Sequence, residues 1–551
     1  MLAFVAIGVV LLLMPYYYEW AGLAPKAPAP EARTEAPATS PEDEQGRLAD
    51  GASGGDSGAE SGSRGAVASE IPPLEVGQAH DIVVTTPLQR MTFSTEGGVM
   101  TSCRLMAYRR GDGSEVDLVA LGGRGLTLAI RRINEVQDLG EVVFGVDREG
   151  LELEAGQSGT IRFVAQVAEG VLVEKVLSFS ADQYGFGMEV AYRGLDPDAE
   201  IAVRWERGLA FTEATGAPDL AESRALAFFN DELSSVQVED SDEEETWGPY
   251  KGELRWVGVR SKYFLSALIP RTAGIHRVTL HGRGGTQDRA ADYSYEIGLR
   301  AEAAGQWQGT VYLGPLEYDN LVRQGVELEQ AIDFGWPVVK QVSKLLLVIF
   351  KAAYEYVPNY GWIIVLFAVA IKILVSPLTH KTNESTAKMQ ELQPKIAALK
   401  EKYKNDSQRL SRETMKLYKE EGVNPLGGCL PLLLQMPVFF ALYNLFGRTI
   451  ELRQAPFALW ITDLSVPDEL RLAGFGVHVL PFLMGASMWL QQKMTMKDPK
   501  QAMLVYLMPV VMIFIFWQMT SGLVLYWTVF NVLTIGQQVV VNLIKGKPAF
   551  A

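Results

Sequence analysis

After residue 345 this sequence is written in long apolar blocks, and such blocks leave a chain few ways to fold. In lipid every backbone N–H and C=O must find its partner within the protein, so an apolar stretch of about 17–25 residues resolves as a spanning helix. Candidate spans are 360–376, 428–446, 475–490, 502–519 and 522–544. Several stand at the short end of that range, which implies local thinning of the bilayer. The last two abut at Thr520-Ser521-Gly522, a tight hairpin at one membrane face. Just upstream, 336–357 carries Lys340, Lys344 and Lys351 among apolar residues, the composition of a helix lying in the interface.

The loops set the orientation. Between Pro377 and Pro425 lie ten basic residues from Lys381 to Lys419; Lys493, Lys497 and Lys500 follow on the same side, and Lys545 and Lys547 close the chain. The opposite loop, 447–474, has three arginines. Lys and Arg accumulate on the cytoplasmic side, so 377–425, 493–501 and the C-terminus are expected there.

The first residues add one more apolar run, Leu2 to Met14, followed by Pro15, three tyrosines and Trp20. A signal peptide and an anchoring helix both fit; the aromatic flank suits a membrane-interface belt and favours the anchor. With six spans the N-terminus is also cytoplasmic. From about Gly22 to Pro73 the chain is Ala, Pro, Glu, Gly and Ser, too poor in bulky apolar residues to offset its ordering entropy, and reads as a tether.

Between His80 and Tyr318 the period changes to two. Alternating runs at 81–86, 90–95, 159–167, 170–179 and 309–313 stand between Gly and Asp turns, the pattern of an antiparallel β-sandwich. The acidic run 239–245 is expected to be a solvated loop. A formal charge of −15 argues against a nucleic-acid binder. Cys103 and Cys429 give no disulfide framework or zinc spacing, and the five histidines form no metal motif. No cofactor is expected.

In the cytoplasmic segment Met389, Leu392, Ile396, Leu399 and Tyr403 form an a/d seam, and Leu410, Thr414 and Leu417 continue it on a second helix after a cap at 405–407. A helical hairpin follows, with a kink expected at Pro394. Its basic surface suits a ribosome or anionic lipid, or simply water.

Lys372 is the most informative residue, because a cation inside a span is costly. It either snorkels to the interface or lines a hydrated cavity. Gln435 sits at similar depth on the next span, and Trp527, Asn531, Thr534 and Gln538 recur at helical spacing on the last. Polar stripes of this kind serve as interhelical glue or as a pathway; with a cation nearby, a hydrated groove is the better reading.

The motifs together resemble the YidC/Oxa insertase family, in its Gram-negative branch. They are Val375-Ser376-Pro377-Leu378-Thr379, then Ala387-Lys388-Met389 and Leu392-Gln393-Pro394-Lys395-Ile396. Asn424 to Pro437 (NPLGGCLPLLLQMP), Gln454 to Trp460 (QAPFALW) and Ser521 to Trp527 (SGLVLYW) follow in order. Pro15 to Trp20 and Phe93-Ser94-Thr95-Glu96-Gly97-Gly98 extend the likeness to the N-terminal part. The resemblance implies six transmembrane helices, five of them forming the insertase core, and a periplasmic all-β super-sandwich similar to sugar mutarotases. The implied division is 1–20 for the first span, 21–75 for the linker, 76–320 for the sandwich and 336–357 for the interfacial helix. The core occupies 358–546, with the hairpin at 380–424. It further implies a substrate groove of Lys372, Gln435, Asn531, Thr534 and Gln538, with Tyr526 and Trp527 contacting substrate. Lys372 stands where the family usually has Arg, so the charge is kept and the bidentate fork lost.

The implied function is insertion and folding of nascent membrane proteins in the inner membrane, alone or beside the Sec translocon, with the ribosome at the basic loops and no covalent chemistry. Because the tether isolates the β-domain, deletion of 78–315 is expected to spare insertion. Two rivals remain: a tethered carbohydrate enzyme, for which His276 and His281 lack an identifiable partner, and a small-solute transporter, for which no repeated halves are visible.

Overall fold

The computed structural model describes residues 71–544 and 548, except 134, 214, 239–241, 287–290, 301–303, 423–429, 473–474 and 496–501. Side chains at 276, 304, 377–387, 389–390, 430–433, 495, 502–504 and 544 are also outside the described set. The expected first span and linker, Cys429, most of the 424–437 motif and the basic residues Lys497, Lys500, Lys545 and Lys547 therefore lie outside the described residues.

Period-two burial builds the N-terminal half. Val171–Ser180 buries Val171, Val173, Lys175, Leu177 and Phe179 in alternation, and Gly185–Arg193 buries Phe186, Met188, Val190 and Tyr192. One sheet runs from Glu244–Tyr250 through Ile275–Arg283, Asp292–Arg300, Glu200–Trp205, Gly125–Arg132, Val99–Arg109, Gln89–Ser94 and Asp81–Thr85 to Gly150–Glu152. The other runs from Glu232–Val236 through Arg224–Phe229, Leu254–Arg260, Phe264–Pro270, Ala304–Pro315, Gly185–Arg193, Val171–Ser180 and Ser158–Ala168 to Gly145–Val146. Pairing is antiparallel except where Asp81–Thr85 meets Gly150–Glu152. Part of the acidic run expected as a loop is an edge strand, since Glu244 and Glu245 pair with Arg283 and Gly282.

The strands Arg224–Phe229, Leu254–Arg260, Phe264–Pro270 and Ala304–Pro315 of the second sheet are covered on both faces. Along Phe264–Pro270, Phe264 and Leu268 enter the core between the sheets, while Leu265, Ala267 and Ile269 turn outward. Those outward residues do not meet water. With Leu226, Phe228, Trp256 and Tyr312 they join one apolar core with Val339, Leu346, Ile364, Leu445 and Tyr526 of the helical half.

The helices are α1 Gly216–Glu222, α2 Tyr318–Val322, α3 Pro337–Tyr356, α4 Tyr360–Glu391 and α5 Gln393–Lys402. They continue with α6 Ser407–Glu420, α7 Leu430–Arg448, α8 Val479–Thr495, α9 Ala502–Phe516 and α10 Ser521–Ile544. Three expectations are corrected. α4 does not stop at Pro377 but runs 32 residues to Glu391. Pro394 does not kink a helix; it stands in the first turn of α5, where a missing N–H costs nothing. The block at 475–490 divides, because Phe475–Val477 pairs with Leu470–Leu472 as a small hairpin before α8 begins. Asp406 caps α6 by accepting Arg409 N–H at 2.9 Å, and Leu392, Ile396, Leu417 and Tyr418 close the α5–α6 seam.

Among the described residues, Ser521–Leu543 is long and apolar enough to cross a bilayer alone. Pro337–Tyr356 and Tyr360–Ser376 reach that measure together but meet at 119°. α7, α8 and α9 are 19, 17 and 15 residues long, and the coarse architecture is a β-rich N-terminal half followed by a helical C-terminal half. Large apolar side chains on these helices face outward, among them Trp362, Ile373, Leu374, Leu434, Phe482, Tyr506, Phe514 and Val540.

The expected isolation of the β-domain is corrected on its C-terminal side, while the linker at 21–75 lies almost wholly outside the described residues. Beyond Pro315 the chain passes through α2 into α3, and the loop after α7 is set into the sandwich. Arg453 donates to Glu213 at 2.8 Å and to the carbonyls of Arg109 and Thr212 at 2.8 and 3.2 Å. Arg448 donates to Glu222 at 3.1 Å and Asp333 at 2.6 Å. Lys351 of α3 pairs with Glu317 at 3.3 Å and with Asp319, and stands 3.8 Å from Glu451, whose carboxyl burial pushes up to about 7.

Candidate functional site

α4 brings Lys372 against α10. Its ammonium donates to Thr534 Oγ1 at 2.7 Å and lies 5.0 Å from the centre of the Phe530 ring. Thr534 in turn donates to the carbonyl of Phe530 at 2.7 Å, so its hydroxyl is oriented to accept from the lysine. Lys372 is 8% exposed, and among the described residues no carboxylate contacts it. A buried cation held by a hydroxyl and a ring has most of its charge unspent.

Four residues earlier on the same face of α10 is Phe530, and four before that is Tyr526. Tyr526 is fully buried and its hydroxyl accepts from Gln435 Nε2 of α7 at 3.2 Å. The rings of Phe367 and Phe530 stand 6.0 Å from that of Tyr526. Lys372, Thr534, Tyr526 and Gln435 thus form two polar pairs along one stripe of α10, separated by one aromatic ring and about 12 Å of helix rise.

The remaining candidates go elsewhere. Asn531 is buried and donates to Ser487 Oγ of α8 at 3.2 Å, a cross-helix bond of the kind that holds spans together. Gln538 donates to Asn542 on its own helix at 3.1 Å. Trp527 packs edge-on against Phe439 at 5.2 Å and near Phe516 at 5.7 Å, on the α7–α9 side. The 4-3-4 spacing keeps these residues on one face about 60° wide, but different helices meet that face along its length, α7 and α9 at Trp527, α8 at Asn531 and α4 at Thr534.

Two participants escaped sequence reasoning. Ser376 accepts from Gln537 at 3.0 Å, one turn beyond Lys372. Ser487 receives Asn531 where α8 and α9 are close: a Cβ on Gly485 would meet Ile513 at 2.5 Å. The small run Gly485-Ala486-Ser487 was the available signal. In the sandwich, His281 lies 3.3 Å from Glu244 and 3.0 Å from Thr246, at an exposed edge. Among the described residues no group of His, Cys, Asp or Glu is arranged to hold a metal ion.

Residues 352–547 match the family described as 60Kd inner membrane protein, and residues 81–347 match the YidC periplasmic domain. A membrane protein insertase YidC from Pelobacter propionicus is 36% identical over 477 residues, spanning 84% of this chain and 87% of its own. One from Geobacter metallireducens is 34% identical over 564 aligned positions, 98% of each chain. A crystal structure of an active YidC insertase with its first transmembrane domain resolved aligns with TM-score 0.36 at 18% identity, covering 84% of this chain and 94% of that one.

Proposed function

The chain belongs to the YidC family of membrane protein insertases, and on that premise we propose that it passes its clients along a polar site built on Lys372. It is an inner-membrane protein with a periplasmic domain, and its substrates are nascent membrane proteins. The observation that carries the proposal is the Lys372 ammonium, buried among apolar helices and held by Thr534 and Phe530 with no carboxylate beside it among the described residues. Such a charge attracts the acidic residues of an incoming tail. At 4 Å and an effective dielectric near 20 the attraction is about 4 kcal/mol. A membrane potential negative inside then favours outward movement of the tail by about 2.3 kcal/mol per charge per 100 mV.

The Gln435–Tyr526 pair, further along the same stripe, offers a second polar station, and Trp527 with its aromatic neighbours guides the apolar part of the client into lipid. Asn531 and Gln538 complete the groove's polar wall by holding α8 and the end of α10 in place. The shorter helices α7, α8 and α9 cross a locally thinned bilayer, giving six spans with the first residues and both termini in the cytoplasm. The α5–α6 hairpin, with Lys400, Lys402 and Lys404 exposed, receives the ribosome, and the Sec translocon is a partner for larger clients.

The test compares one single-span client bearing an acidic tail or its neutralised version, with translocation read by protease protection in reconstituted vesicles. Lys372→Arg is expected to work, Lys372→Ala to fail selectively on the acidic tail, and Lys372→Glu to be worst. Equal loss for both tails would remove charge attraction from the mechanism.

A further inference from the structure

A cavity of about 240 Å³ lies where the β-sandwich meets the start of α3. Arg224, Arg260 and Lys340 line its charged side, with Leu233 and Phe334 on the apolar side. The charges do not balance. Glu222 is shared by three guanidiniums, Arg224 at 3.3 Å, Arg260 at 3.1 Å and Arg448 at 3.1 Å, and Arg448 also takes Asp333. Among the described residues Lys340 forms no ion pair and donates to the neutral Gln330 amide oxygen at 2.6 Å. Lys344 repels its charge, and Glu329 is the carboxylate that acts on it most. Glu327 is occupied by Arg255 at 2.6 Å. The cavity lining itself holds three cations, Arg224, Arg260 and Lys340, against one carboxylate, Asp333.

The position of α3 identifies the solvent on its far side. Val339, Ser343, Leu346, Leu347 and Phe350 face the protein core. Lys340 and Lys351 reach Gln330 and Asp319 on the sandwich side, and Lys344 lies over the Tyr318 ring. The third side leaves Val338, Leu345, Val348 and Ile349 between 43% and 61% exposed. A helix with lysines toward one polar layer and bare aliphatic side chains away from it lies along a bilayer surface. The cavity opens at the beginning of that helix, at headgroup level.

We propose that this cavity holds the phosphodiester headgroup of a phospholipid from the adjoining leaflet. Arg224 and Lys340 take the phosphate oxygens, and Leu233 at the mouth meets the glycerol ester. A guanidinium fork and a point ammonium are the donors such a group selects. The site rests on the interfacial placement of α3 and is separate from the Lys372 stripe.

The test uses the full-length protein in detergent, with retained lipid counted by native mass spectrometry. Phosphatidylglycerol, diacylglycerol and glycerol 3-phosphate are offered separately. Phosphatidylglycerol should be retained, and diacylglycerol and glycerol 3-phosphate should not. Arg224→Gln with Lys340→Gln should weaken retention about tenfold or more, the worth of a charge-assisted hydrogen bond. Lys340→Glu alone should do the same without touching the buried Glu222 cluster, and Arg90→Gln, an exposed arginine elsewhere, should change nothing. Unchanged retention in Lys340→Glu, or diacylglycerol held as well as phosphatidylglycerol, overturns the proposal. Glycerol 3-phosphate bound as tightly as the lipid overturns the lipid assignment in favour of free phosphate. Client insertion, assayed in parallel, persists in Lys340→Glu, so a failure here is read apart from any failure at Lys372.

Discussion

Replacing Arg453 by Met keeps the length of the side chain and removes its charge at the seam between the two halves. The guanidinium is 2% exposed and its partner Glu213 is 8% exposed, so neither is screened by solvent. Three bonds are lost, one to the carboxylate and two to carbonyls, together with the contacts over the rings of Tyr263 and Phe264 at 5.8 and 5.6 Å. The larger effect is what remains, a buried carboxylate that has lost its ion-pair partner and keeps only the electrostatic attraction of the nearby Lys262. Removing one member of a buried pair costs about 3–5 kcal/mol, most of it the stranded partner. Glu213→Gln on the same background relieves that charge, so the double variant should recover a large part of the loss. The assay is a double-mutant cycle on purified full-length protein, read as denaturant midpoints. The coupling energy should exceed about 1 kcal/mol, well outside the roughly 0.3–0.5 kcal/mol by which independent sites deviate from additivity. Additive losses would show that the pair does not lock the loop into the sandwich, and the reasoning from burial would fail.

Deletion of 78–315 should lower thermal stability, because Arg448 and Arg453 lose Glu222 and Glu213, yet leave insertion per folded molecule intact, since the Lys372 stripe lies after residue 360; a stability scan beside an insertion assay checks both. Lys175 is fully buried with its amine on the carbonyls of Gly98 and Leu126, and burial lowers its pKa to about 7. Between about 7 and the ordinary value of 10.5 the unfolded chain holds the proton and the folded one releases it, so stability rises with pH across that window. Urea midpoints measured across it should lose that part of their slope in Lys175→Met. In the α5–α6 hairpin Lys395 is already paired with Glu421 at 2.6 Å, so reversing Lys400, Lys402 and Lys404 should weaken ribosome co-sedimentation most at low salt, while Lys395→Glu mainly loosens the hairpin, read by helix content.

What the sequence made legible follows the range of each interaction. Strand alternation was visible because burial along Gly185–Arg193 repeats every two residues. Lys175 fell in the apolar phase of its strand, between Val173 and Leu177, and was a readable signal of a buried amine. Lys372 stood out by its cost in lipid. The loop arginines carried no such mark. Arg453 finds Glu213 across 240 residues, and nothing local distinguishes it from a solvated loop charge. Trp527, Asn531 and Gln538 shared a spacing but not a neighbour, since spacing tells which way a side chain leaves a helix and not what waits there.

The strands buried on both faces have a consequence for synthesis. Residues 224–315 emerge before α3, so the strand Phe264–Pro270 can close its inner face on the facing sheet while Leu265, Ala267 and Ile269 still lack their cover. Trp256, Phe228 and Tyr312 wait beside them. The cover arrives first with the segment from Leu316 to Phe334 and is completed by α3, α4, α7 and α10, so a domain with a finished interior stands for a time with part of its apolar outer face bare. The membrane surface is the nearest apolar phase, and the last residues made are those that let the first ones leave it.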